Sequence, residues 1–168
     1  MPRQLLRDGQ VVADDWIYLA ETSGGAVAGS EVAANAIILT FDAWLSDEPG
    51  WRAAPGRLGV ILSPVHKVEQ LAPHLSRFDL VAAEFPGPSE GRGYTQGRLL
   101  RERYGWRGEL RATGYVRRDQ LFFLARCGFN SFELPDSELE DAADAFSTFT
   151  ASYQPSNDLG LALKLQHR

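Results

Sequence analysis

DLVAAEFPGPSEGRGYTQGRLLRERYGWRGELRAT, residues 79–113, holds two β-type runs separated by a loop and a helix-like segment. Asp79–Phe85 is short and mostly apolar, and a Pro/Gly-rich loop follows it. Residues 94–104 have helical character, and Glu109–Thr113 is the next β-type run. A strand, a crossover and a second strand of these lengths make a parallel pair with a right-handed connection. The alternation extends in both directions. Further β-type runs lie at Ala36–Phe41, Leu58–Ser63 and Ser131–Leu134, with helix-like segments at 66–76, 116–127 and 137–153. The last of these sets Leu139, Ala142, Ala143, Phe146, Phe149 and Tyr153 on one face at helical spacing.

The run Glu109–Thr113 decides between two α/β architectures. A central strand of a doubly wound sheet is covered on both faces and should be almost wholly apolar. This one alternates, with Leu110 and Ala112 on one face and Glu109, Arg111 and Thr113 on the other. A polar face suits an edge strand or a strand facing a polar interior. The expected fold is therefore a set of parallel β/α repeats forming an open, barrel-like sheet. A flavodoxin-like doubly wound sheet is the alternative. Ahead of the repeats, Gln4–Leu6 and Val11–Ala13 flank Asp8-Gly9, the signature of a tight β-hairpin. One domain, 1–168, is expected: a hairpin and loop annex at 1–35, a β/α core at 36–153 and a tail at 154–168.

Charge is unevenly distributed. Residues 85–118 hold eight arginines against three acids and carry +5, whereas the whole chain is −5, so the remainder sums to about −10. A basic, Gly-rich segment in an acidic protein marks a place to hold an anion or an acidic partner. The overall acidity argues against nucleic acid as that partner. A single cysteine, Cys127, excludes an intramolecular disulfide or a dithiol cycle and suits a reducing, cytoplasmic setting. No apolar run has the length of a membrane span or a signal peptide. No flavin, nicotinamide, haem or cluster motif is visible, and His66, His74 and His167 lack metal-ligand spacing, so neither cofactor nor metal is expected.

Four residues are the candidate anion ligands. Gly91 and Gly93 flank Arg92 at the start of a helix, where backbone N–H groups and a guanidinium can meet sulfate, phosphate or carboxylate. Arg111 on the polar strand face is the fourth. The plainer reading has the glycines serving a turn and Arg92 pairing with Glu84 or Glu90. Arg111 and Glu84 lie in consecutive strands and can form an ion pair. Alternatively they orient a ligand, with Glu84 as the candidate acid or base; no other catalytic group is assigned. Arg98, Arg101 and Arg103, with Glu102, suit a solvated helix face. Phe122 and Phe123, being adjacent, cannot both enter one core.

The runs GRGYTQGRLLRERYGWRGELRATG (91–114) and RDQLFFLARCGFNSFEL (118–134), with the LLRDGQVVADDW hairpin and the YQPS tail, resemble a proteobacterial domain-of-unknown-function family, number 934. Its members carry the label of oxidoreductases of sulfite reduction. The chain departs from the family pattern at Gly97, where the resemblance leads one to expect alanine, and at Tyr115, where it leads one to expect an acid. The resemblance implies an accessory protein of assimilatory sulfite reduction, with sulfite reductase or another sulfur-assimilation protein as partner. The alternative is a small enzyme binding an oxyanion at the strand C-terminal ends.

Overall fold

In the computed structural model, which describes residues 3–19 and 36–149, eight strands form one sheet in the order β2-β1-β8-β7-β6-β5-β4-β3. The strands are β1 Gln4–Arg7, β2 Gln10–Ala13, β3 Trp16–Tyr18, β4 Ala36–Thr40, β5 Leu58–Leu62, β6 Leu80–Phe85, β7 Glu109–Gly114 and β8 Ser131–Phe132. From β3 to β8 every pairing is parallel and follows chain order, whereas β1 joins β8 and β2 antiparallel. This is the expected barrel-like order, not the flavodoxin-like one. The hairpin turns at Asp8 and Gly9, which both have positive φ, 51° and 79°. It is no annex: its first strand extends the main sheet.

The covalent chain dictates the curl. β2 and β3 stand at opposite ends of the sheet, yet only Asp14 and Asp15 separate them in sequence. A flat eight-stranded sheet would hold its edges about 33 Å apart, whereas this connection reaches about 10 Å. The sheet therefore rolls into a half-barrel whose two edges are brought together by a two-residue link.

Helices cover the outer face. They are α1 Phe41–Ser46, α2 Glu48–Ala53, α3 Val68–Leu71 with a 3₁₀ extension Ala72–Arg77, α4 Arg92–Arg98 with a wider π turn Leu99–Arg103, α5 Leu121–Arg126 and α6 Asp136–Phe149. The first two fall within 41–53, where no helix was expected. Each is one and a half turns and depends on its cap: Thr40 accepts the Ala43 N–H and Asp47 the Gly50 N–H. Phe41, Trp44, Leu71, Leu100, Leu121, Leu124 and Phe146 pack with Leu39, Val60, Val81, Leu110 and Phe132 in one core. Burial of each such side chain contributes about 1.5–3 kcal/mol. Residues 150–153 of the last expected helix, and the tail, lie outside the described residues.

The inner face divides in two. Trp16, Tyr18, Ala36, Ile38, Ile61, Leu80 and Ala82, all from β3 to β6, form a separate apolar cluster. From β7, β8 and β1 the interior receives Glu109, Arg111, Thr113, Ser131 and Arg7. Gly114, ending β7, has φ 89°, and a Cβ there would lie 2.4 Å from the Phe85 carbonyl oxygen. Gly114→Ala should cost at least about 2 kcal/mol from strain and clash. Gly87→Ala, where a Cβ meets nothing within 4 Å, should stay within about 0.5 kcal/mol of wild type in urea denaturation.

Candidate functional site

Arg111 is fully buried in the half-barrel and is the centre of its polar half. Its Nη1 and Nη2 donate to Asp14 Oδ2 and Oδ1 at 3.0 and 3.1 Å. Nε and Nη2 donate to Glu109 Oε1 at 3.2 and 2.9 Å, and Nη1 also reaches Glu133 Oε1 at 3.3 Å. Those five bonds match the five N–H donors of a guanidinium. Burial acts to lower the Arg111 pKa, but Glu109 and Asp14 outweigh it and the value rises. Glu133 in turn accepts from Tyr18, Arg3 and Thr113 Oγ1, the last at 2.6 Å, and Arg7 pairs with Glu109 at 3.4 Å. Burial and then Glu133 push the Tyr18 phenol well above its usual range. The three arginines and three carboxylates of this cluster balance.

Arg111 thus pairs with Asp14, Glu109 and Glu133 instead of Glu84. The register sets Ala82 beside Arg111 and Glu84 beside Thr113, so Glu84 stands one inner layer higher, at the mouth. It is half-buried and makes no ion pair or hydrogen bond with any described residue. In the same layer come Ser63, next in register from the Leu62–Ala83 pair, and Glu133 beyond Thr113. Parallel β/α folds gather ligands at these strand ends.

The Gly91-Arg92-Gly93 loop lies on the outside. Glu90 Oε1 accepts the Arg92 N–H at 3.0 Å and stands 3.8 Å from Arg92 Nε, so the chain supplies its own carboxylate there. Arg92 is 65% exposed. Gly93 serves packing, since a Cβ would come 2.4 Å from the Phe85 ring; at Gly97 it would come 2.4 Å from the Phe129 ring. The glycine that departs from the expected alanine thus gives Phe129 its seat. Gly91 faces open space. The structure therefore separates Arg92 and Arg111 and puts each beside an acid of its own chain.

Arg101 is not on a solvated face. It is buried, and its Nε and Nη1 donate to the carbonyls of Gly128, Trp106 and Gly108 at 2.8–2.9 Å, tying two loops together. Burial lowers its pKa to about 10. Six arginines of the segment stay outside. Of these, Arg98, Arg103, Arg117 and Arg118 pair with surface acids, whereas exposed Arg107 pairs with no described acid. Tyr115 is exposed under the Arg117 guanidinium, and Phe123 is 61% exposed with its ring against Phe122.

Residue spacing left two features unseen. The partners of Arg111 come from 97 residues upstream and 22 downstream, and only the three-dimensional curl unites them. Ser63, His66 and Asp42 also meet, at the ends of β5 and β4. The readable signal was the alternation itself, which carries Ser63, Glu84 and Thr113 to one layer.

Removing the Arg111 guanidinium leaves buried Asp14 without a cation and takes one partner each from Glu109 and Glu133. Arg111→Met should destabilise the fold by about 3–5 kcal/mol, and Arg111→Lys, with three donors in place of five, should not restore it. Denaturation midpoints within about 1 kcal/mol of wild type for the Met variant would contradict this. Cys127 is half-buried, and burial raises its thiol pKa despite Arg98 nearby. Its reaction with a disulfide reagent at pH 7 should be at least about tenfold slower folded than unfolded; equal rates would refute the burial argument.

Among the described residues no helix is long and apolar enough to cross a membrane, and no three His, Cys, Asp or Glu side chains are grouped to hold a metal. None of the curated proteins matches the chain. Residues 59–163, from β5 through the last helix and beyond, match a family described as bacterial protein of unknown function (DUF934). That span takes in β5 to β8, the Arg92 loop, Arg101 and Arg111, and the chain belongs to the DUF934 family.

Proposed function

We propose that this chain is an accessory protein of assimilatory sulfite reduction that docks on an acidic partner through the outer arginines of residues 85–118. The sulfite-reduction context comes from the family resemblance, and sulfite reductase is the partner it suggests. The observation that carries the docking role is the sorting of the eight arginines. Arg101 and Arg111 are consumed inside, while Arg92, Arg98, Arg103, Arg107, Arg117 and Arg118 stay outside; Tyr115, under Arg117, and Phe123 are exposed as well. Arginine and aromatic side chains together supply the anchors that protein interfaces favour. An acidic surface would exchange weak, solvated ion pairs such as Arg118–Asp141, 3.5 Å apart, for desolvated ones.

A small enzyme at the strand C-terminal ends is the second reading, favoured by half-buried Glu84, which has no ion pair or hydrogen bond among the described residues. An oxyanion there would share the mouth with the Glu84 carboxylate, so this reading ranks behind docking.

Interferometry against purified sulfite reductase tests the proposal. Binding should weaken at least about tenfold between 50 and 300 mM salt. Combined Arg107→Glu, Arg117→Glu and Arg118→Glu changes should abolish it, and Phe123→Asp should weaken it by at least about tenfold. No binding by the wild type at low salt would remove the proposal. Calorimetry with sulfite, sulfate and phosphate addresses the second reading: wild-type binding that Arg92→Ala removes and Glu84→Gln strengthens would promote it.

A further inference from the structure

Ser63, His66 and Asp42 form a hydrogen-bonded line at the C-terminal ends of two adjacent parallel strands. His66 Nδ1 lies 3.0 Å from Ser63 Oγ, and His66 Nε2 lies 3.2 Å from Asp42 Oδ1. The tautomer follows from a third contact. The Ser63 backbone N–H donates to Nδ1 at 3.1 Å. A backbone N–H can only donate, so Nδ1 holds a lone pair and Nε2 carries the proton directed at Asp42. That is the form in which an imidazole can take a hydroxyl proton.

The surroundings hold this line in place. The side-chain amide of Gln96, itself buried, donates to the carbonyls of both Ser63 and His66 at 3.0 Å and fixes the turn that carries them. The Phe41 ring meets the imidazole edge-on at 5.3 Å, and His66 is only 12% exposed. Thr40 caps α1 and so sets Asp42 in its first turn. Asp42 is 78% exposed, which leaves the far end of the line open to solvent.

We propose that Ser63 is an acyl-accepting nucleophile with His66 as its base, acting on small neutral esters. Asp42 and Gln96 are positioning residues that work through His66. Ser63 Oγ attacks the acyl carbon as its proton passes to His66 Nδ1. The bond to the leaving alcohol then breaks, and the alcohol departs with that proton. Water, deprotonated by the same nitrogen, cleaves the Ser63 ester, releases the acid and returns the proton to Ser63. Protonated Nδ1 no longer accepts the Ser63 N–H, which is freed to face the oxyanion. The nucleophile's own amide fills the same place in serine proteases. Neutral substrates are favoured because Glu84, next to Ser63 in register, repels anionic ones, while Ile61 and exposed Val65 offer short apolar contacts. The activity is independent of the docking role.

Diisopropyl fluorophosphate is the direct probe: Ser63 Oγ bonds to phosphorus, and fluoride leaves with the hydroxyl proton. Mass spectrometry of the wild type should find one adduct per chain, on Ser63, and p-nitrophenyl acetate should be hydrolysed with the same dependence. His66→Gln should slow labelling at least about 100-fold. Asp42→Ala should slow it about tenfold, with Asp42→Glu recovering most of the rate, a rescue that a merely structural role would not show. Circular dichroism establishes that each variant is folded. An unlabelled Ser63 in the folded wild type overturns the proposal whatever the variants do. Labelling by a folded His66→Gln variant at the wild-type rate overturns it as well.

Discussion

The bidentate pair between Arg111 and Asp14 fastens the half-barrel. Asp14 belongs to the two-residue link between the outermost strands, and Arg111 projects from the middle of β7 across the interior to hold it at 3.0 and 3.1 Å. A buried guanidinium is tolerable only with its charge met and its donors satisfied. Glu109 and Glu133 complete that requirement, while Tyr18, Arg3 and Thr113 occupy Glu133. The apolar half of the interior, from Trp16 to Ala82, needs no such pairing. The cluster therefore specifies which strands meet as much as how firmly they are held.

The use of charge inside determines what is left outside. Of the arginines in the basic segment, one closes the barrel and one gathers the loop carbonyls at Gly128, Trp106 and Gly108. The others decorate the surface, with Glu90 already holding the helix start at Arg92. The glycines beside them give ring space: Gly93 for Phe85 and Gly97 for Phe129. Small residues thus let α4 lie close on β6, and the loop before it is set at the rim with its guanidinium in solvent.

Much of this was legible in the sequence. Alternating β-type and helical runs gave the parallel repeats, and Asp8-Gly9 gave the hairpin. The polar face of β7 pointed to an interior that favoured a barrel-like curl. The identity of the Arg111 partners was not legible, because sequence alternation tells which face a residue occupies but not what the curl brings opposite to it. Asp14 lies outside every β-type run, and Glu133 lies within the short run Ser131–Leu134, where nothing marks either as a partner of Arg111. Arg101 was misread for a related reason: a helix dense in charge looks solvated until loops 106–108 and 128–130 fold over it. The Ser63–His66–Asp42 line joins two elements whose short intervening helices carry no strong periodicity, so the juxtaposition emerged only with the fold.

A double-mutant cycle on Asp14 and Arg111 tests the closure most directly. Stability is measured by urea denaturation for wild type, Asp14→Asn, Arg111→Met and the double variant. If the pair fastens the barrel, the two changes are strongly coupled, with an interaction energy of about 2–3 kcal/mol and a double variant little worse than Arg111→Met alone. Additivity to within about 0.5 kcal/mol would show that the link and the central strand are held independently, and the closure account would be wrong.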